Sequence, residues 1–208
     1  MTREEFIRIL EKEDYSYEIV GNKIVVTYDK SVYLDSLETL PPGVEFNNGG
    51  ELDLDSLETL PPGVEFNNVG TVYLRSLESI SPGVVFKNGG SVDLRSLKTL
   101  PPGVVFKNKG HIDLNSLKTL PPGVVFKNGG VVYLGSLKTL PPGVEFNNVG
   151  SVYLNSLKTI HPGVEFNNKG IVNLNSLIGC LLNEWKGLIK GISSKRLLNG
   201  MIKRGMFI

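Results

Sequence analysis

The 208-residue chain carries 22 Lys and Arg against 21 Asp and Glu, a net charge of +1. That balance excludes both the basic field of a general nucleic-acid binder and the acidity of a nucleic-acid mimic. Hydrophobic residues make up 40% of the chain and Cys180 is its one cysteine, so a packed core is expected and an internal disulfide framework is excluded.

Taken in chain order, Thr2-x-x-Glu5 is a capping box opening a helix, with Phe6, Ile7 and Leu10 on one side. The alternating stretch from Tyr17 to Val26, broken at Gly21-Asn22, predicts a β-hairpin leading into the region from residue 31 onward. No apolar run approaches the ~20 residues that span a bilayer, and the opening MTREEFIRILEKED is a charged helix pattern without a signal-peptide core, so a soluble, cytoplasmic protein is expected.

From residue 31 the chain repeats every 20 residues as x-V-x-L-x-S-L-x-T-L-P-P-G-V-x-F-x-N-x-G, with seven full copies to Gly170 and a partial eighth ending at Leu177. Side chains common to the copies alternate: Val72, Leu74 and Ser76 in one arm, Val84, Phe86 and Asn88 in the other, the periodicity of a strand. Pro42-Gly43 fits a type II turn, and Gly50 closes a second corner where glycine is read as permitting positive φ. A helix cannot persist through prolines at this spacing. Each coil is therefore expected to run strand, corner, strand, corner, and coils stacked at ~4.8 Å build a rod of roughly 35–40 Å. Serines Ser36 to Ser176 and asparagines Asn48 to Asn168 are expected as two inward polar ladders.

The fold class expected is mainly β: a β-solenoid of seven to eight 20-residue coils with parallel stacked sheets, an α/β N-terminal cap and an α-helical C-terminal cap. The boundaries are 1–30, 31–177 and 178–208. In the last segment Leu181, Leu182, Trp185, Leu188, Ile189 and Ile192 recur at helical spacing, opposite Lys186, Lys190, Lys195, Arg196, Lys203 and Arg204; Trp185 is expected to plug the last coil.

The motif L-x-S-L-x-T-L-P-P-G-V-x-F-x-N resembles the short leucine-rich repeat of bacterial type, over residues 31–177. That resemblance implies binding to protein partners rather than a reaction. The family pattern keeps two residues between strand and Asn, whereas Phe46-Asn47-Asn48 leaves one and Gly-x-Val-x-Leu reads as a second strand. A two-sheeted or flattened solenoid is therefore expected over an open horseshoe.

Catalysis needs unlike groups converging at one point, and the repeat supplies like groups in columns. His111 and His161 fall in different columns and coils, Cys180 takes the slot of Leu40, and the Asp residues near Gly50 do not persist as a calcium motif would require. No enzyme activity, cofactor or metal is expected.

Outward columns are where a partner can be read. Val85, Val105 and Val125, flanked by Lys87, Lys107 and Lys127, interrupt a row otherwise filled by Glu and Asn and form one candidate surface. Tyr73, Asp93, Asp113, Tyr133 and Tyr153 form the other. The eighth position changes from Glu38, Glu58 and Glu78 to Lys98, Lys118, Lys138 and Lys158. A non-enzymatic protein-binding module is the expected function. The alternatives are a self-associating scaffold joined through charge-asymmetric ends, a phage or mobile-element inhibitor of a host defence protein, and a nucleic-acid binder using the basic coils and tail. The last is disfavoured because lysines ~4.8 Å apart do not match phosphates ~6–7 Å apart.

Overall fold

A computed structural model describes residues 1–102, 104–174 and 176–177. The C-terminal cap expected over 178–208, with its apolar and basic faces, lies outside the described residues.

Helix α1 (Arg3–Lys12) begins as its sequence dictates. Thr2 Oγ1 accepts the Glu5 N–H at 3.2 Å, and the Glu5 carboxylate accepts the Thr2 N–H at 2.7 Å, closing the capping box. Phe6 and Leu10, one turn apart, are fully buried against the first coil, with Ile7 half-buried beside them. Asp14 leaves the helix in the left-handed region at φ 56°. Strands β1 (Tyr17–Val20) and β2 (Lys23–Val26) then pair antiparallel around Gly21, at φ 59°. Strand β2 pairs in parallel with Val44–Phe46 of the first coil, so the hairpin begins the same sheet that the coils continue.

The body is a parallel β-solenoid of about seven coils. Each coil contributes a short strand at its Val-x-Phe arm to a nine-stranded sheet that includes the hairpin, and another at its Val-x-Leu arm to an eight-stranded sheet. Register is one coil per step: Phe86 pairs with Phe66 and Phe106, and Val92 with Val72 and Ile112. Hence every column holds equivalent residues 20 apart. Inside, the valine, leucine and phenylalanine columns form one continuous core. Rings Phe46 to Phe166 stack in a single file with centroids 4.9–5.7 Å apart and planes within 18° of parallel. Each such contact contributes about 0.5–1.5 kcal/mol beyond burial of its area.

The two-sheeted cross-section needs correction, because a third segment lies between the arms. Thr59–Leu60 pairs with Ser79–Ile80, and Thr139–Leu140 with Thr159–Ile160. Its cause is a turn at Asp35-Ser36 and its equivalents, closed by the Leu37 N–H donating to Leu34 O at 3.0 Å. Leucines three residues apart, Leu34, Leu37 and Leu40, therefore all face the core. The same turn overturns the inward serine ladder: Ser36, Ser76 and Ser116 are exposed, and Ser56, Ser96, Ser136, Ser156 and Ser176 are half-buried. Alternation stops two residues after the strand, at the turn.

The asparagine ladder is internal as expected. Asn48 to Asn168 are all at most 3% exposed. Each side-chain amide nitrogen donates to main-chain carbonyls of its own corner and of the coil before, as Asn108 does to Gly110 O, His111 O and Gly90 O at 3.1–3.2 Å. These bonds tie the corner of one coil to its neighbour. The Oδ1 atoms from Asn48 to Asn148 accept no hydrogen bond among the described residues.

Candidate interaction surfaces

On the nine-stranded sheet, Val85, Val105 and Val125 stand in one column, with Val105 registered on Val125 and the column continuing into Glu65 on one side and Glu145 on the other. The stripe is half-buried rather than open, since equivalent side chains one coil apart cover one another's flanks and leave only an outer edge accessible. Lys87, Lys107 and Lys127 beside it are exposed. Lys87 approaches Glu65 at 3.7 Å, whereas Lys107 and Lys127 make no ion pair among the described residues. The flanking glutamates are occupied within the sheet. Lys23 reaches from the hairpin to Glu45 at 3.2 Å and Glu65 at 2.6 Å, so its ammonium titrates higher than an ordinary lysine. Burial alone would raise the Glu45 carboxyl, but hydrogen bonds from Lys23 and Asn47 hold it below the usual carboxylate range. At the other end the Asn147 amide donates to Glu145 at 2.9 Å.

On the eight-stranded sheet the tyrosine and aspartate column divides into a locked part and an open part. Asp93 is 8% exposed and is gripped by the Nε and Nη2 of Arg95 at 2.9 and 2.6 Å and by the Nε of Arg75 at 3.1 Å. Burial pushes its pKa upward, but the bonds from Arg95 and Arg75 prevail and hold it below the ordinary aspartate value. Arg75 also donates to Asp55 at 2.6 Å and lies 4.4 Å over the Tyr73 ring, while the Tyr73 hydroxyl donates to Glu51 at 3.1 Å. Thus Tyr73 and Asp93 already belong to an internal network spanning three coils. Asp53, beside it, has its pKa raised by burial and by the Asp55 charge.

The open part holds Tyr133 and Tyr153, stacked at 5.5 Å, with the His111 ring edge-on to Tyr133 at 6.3 Å. His111 Nδ1 accepts the Val131 N–H at 2.8 Å, which places its proton on Nε2 when the ring is neutral. Among the described residues Asp113 accepts only the Asn115 N–H, at 3.0 Å.

Two features were missed in the sequence. The Asp93-x-Arg95 spacing, with Arg75 and Asp55 one and two coils before, was visible as period-20 neighbours and could have predicted the charge network. The second is an open groove of about 530 Å³ on the third side, lined by Glu78, Ser96, Lys98, Ser116, Lys118 and Ser136. It exists because the serines face outward. Among the described residues no three His, Cys, Asp or Glu side chains group as metal ligands, and no helix is long and apolar enough to cross a membrane.

Sheet order, register and columns define a β-solenoid repeat protein. No protein-family model, curated protein or solved structure matches the chain.

Proposed function

We propose that the chain is a non-enzymatic protein-binding module in which a solenoid presents the Val85, Val105 and Val125 stripe and its lysines to a partner protein. The observation that carries this reading is the contrast along one column. Glu45 and Glu65 share an ion pair with Lys23 and Glu145 accepts a hydrogen bond from Asn147, whereas Lys107 and Lys127, beside the valines, make no ion pair among the described residues. An apolar strip edged with free ammonium groups suits a partner segment that is apolar at its centre and acidic at its rim. The resemblance of the repeat to bacterial short leucine-rich repeats supports the same class of function. Tyr133, Tyr153 and Asp113 provide a second polar and aromatic surface on the other sheet, while Tyr73 and Asp93 contribute through the network they complete.

The test compares wild-type chain with Val105→Glu and Lys107→Glu as immobilised baits in extract from the native cell. Loss of the same captured protein with both variants, at unchanged circular dichroism, is the expected result. Equal capture by all three places the binding surface elsewhere. A host-directed inhibitor would follow if the captured protein is a defence factor whose activity falls on binding.

A further inference from the structure

The third side of the solenoid has a charge arrangement that neither sheet shares. Its eighth-position column reads Glu38, Glu58, Glu78, Lys98, Lys118, Lys138, Lys158, and every one of these side chains is exposed. At the sign change Glu78 and Lys98 form an ion pair. Away from it, Glu38 and Glu58 on one arm and Lys118, Lys138 and Lys158 on the other have no ion-pair partner among the described residues. Columns of serine and threonine flank the charges, and the groove past Ser96, Ser116 and Ser136 runs beside the junction.

We infer that this face docks on the same face of a second copy of the chain, with the two solenoids antiparallel. The ladder has a rung every ~4.8 Å. An extended peptide repeats its same-side residues at ~6.6 Å and a nucleic-acid strand its phosphates at ~6–7 Å, so either falls out of register within two coils. A second copy has the same rung spacing by construction.

Symmetry then selects the orientation. Parallel docking sets Glu against Glu and Lys against Lys. A two-fold axis lying in the interface, perpendicular to the solenoid, instead reverses the column while keeping each column opposite itself. Glu38 then meets Lys158, Glu58 meets Lys138 and Glu78 meets Lys118, each twice, giving an isologous, closed dimer. The axis passes through Lys98 and brings the two Lys98 side chains together. Each shares the carboxylate of its own Glu78 with Lys118 of the other copy, so one positive charge per copy is left over and weakens the centre of the interface. Serines of the sixth position face serines, and the ninth-position column, threonine except at Ser79, faces itself with Ser79 opposite Thr119; hydroxyls can both donate and accept.

The face is ~35 Å long and ~10 Å wide, roughly 350 Å² per copy, small beside the ~800 Å² of a standard interface. The dimer is therefore weak, and it dissolves with salt as its charges are screened.

Sedimentation equilibrium of the full chain over a concentration series, in about 20 and about 500 mM NaCl, reads the association at long and short screening length. The expected result is a monomer–dimer equilibrium at low salt that is lost at high salt. Glu58→Lys and Lys138→Glu should each weaken it by at least about tenfold, because each sets like charges opposite one another, and the double swap should restore it. In a Cys180→Ser background, Thr99→Cys should link to itself through a short bis-maleimide, while Thr59→Cys should link only when mixed with Thr139→Cys. Lys107→Glu, on another face, should leave the dimer unchanged. A monomer at every concentration in low salt overturns the inference, as does a dimer indifferent to the Glu58 and Lys138 reversals. A monomer that is instead retained on an anionic polymer through Lys118, Lys138 and Lys158 also overturns it, assigning the face to a polyanion.

Discussion

Each coil turns at two glycines, and they serve unlike purposes. In the Pro-Pro-Gly corner the backbone itself requires glycine: Gly43, Gly63, Gly83, Gly123, Gly143 and Gly163 all sit at φ between 72° and 84°. Space is ample there, and a Cβ on Gly123 would meet nothing within 4 Å. At the Asn-x-Gly corner the reverse holds. No glycine of that column has positive φ, yet a Cβ on Gly90 would lie 2.5 Å from the Gly70 carbonyl carbon and from the Thr71 nitrogen. One corner uses glycine to bend, the other to let successive coils touch. The expected positive φ at Gly50 is thereby corrected to a close backbone approach.

Urea unfolding of paired variants tests that distinction. Gly90→Ala should have the largest effect, a loss of about 3 kcal/mol, since main chain, not a yielding side-chain tip, stands in the way. Asn108→Ala in the same type of corner should cost about 2 kcal/mol by freeing the carbonyls of Gly90, Gly110 and His111 from their shared donor. Gly123→Ala should cost only about 1 kcal/mol, the penalty of a left-handed residue with a Cβ. Gly123→Asn should recover part of that loss, because Asn visits this region more readily, whereas Gly90→Asn should be no better than Gly90→Ala. Equal losses for Gly90→Ala and Gly123→Ala would erase the difference between the corners.

The smallest expected effect lies outside both corners, at Asp93. Its folded pKa is depressed, so its contribution is present above the ordinary aspartate value of about 3.9 and fades as pH falls through the lower folded value. Unfolding midpoints measured from neutral pH down to about 2 should therefore drop less steeply for Asp93→Asn than for wild type. An identical acid limb would mean that Arg75 and Arg95 do not favour the charged form of Asp93.

The amino-acid sequence makes legible whatever the repeat writes in apolar letters. Val72, Leu74, Val84 and Phe86 announce their inward columns because strand periodicity and burial agree there, and Thr2-x-x-Glu5 announces its helix because a capping box has one local solution. The third side was hidden for a physical reason. Period-two counting carried Ser76 inward from Leu74, but a turn two residues long reverses that parity, and only the Leu34, Leu37 and Leu40 spacing of three betrays it. Glycine was ambiguous because composition cannot separate a dihedral need from a steric one. The candidate surface was half legible: the substitution of Val-Phe-Lys for Glu-Phe-Asn marks the place, yet the pairing of Glu65 with Lys23 across 42 residues depends on how the hairpin joins the sheet.

An uninterrupted 20-residue period also makes length a countable quantity. Any in-frame gain or loss of one unit leaves every internal column matched, so the gene can lengthen or shorten this rod in steps of 60 nucleotides without inventing a new junction. Excising residues 91–110 would remove Lys98 and leave three glutamates followed by three lysines, Glu38, Glu58 and Glu78 before Lys118, Lys138 and Lys158. Such a molecule would read the same from either end with its signs exchanged. The number of coils, and not only their contents, is therefore a heritable setting of what the outer face can meet.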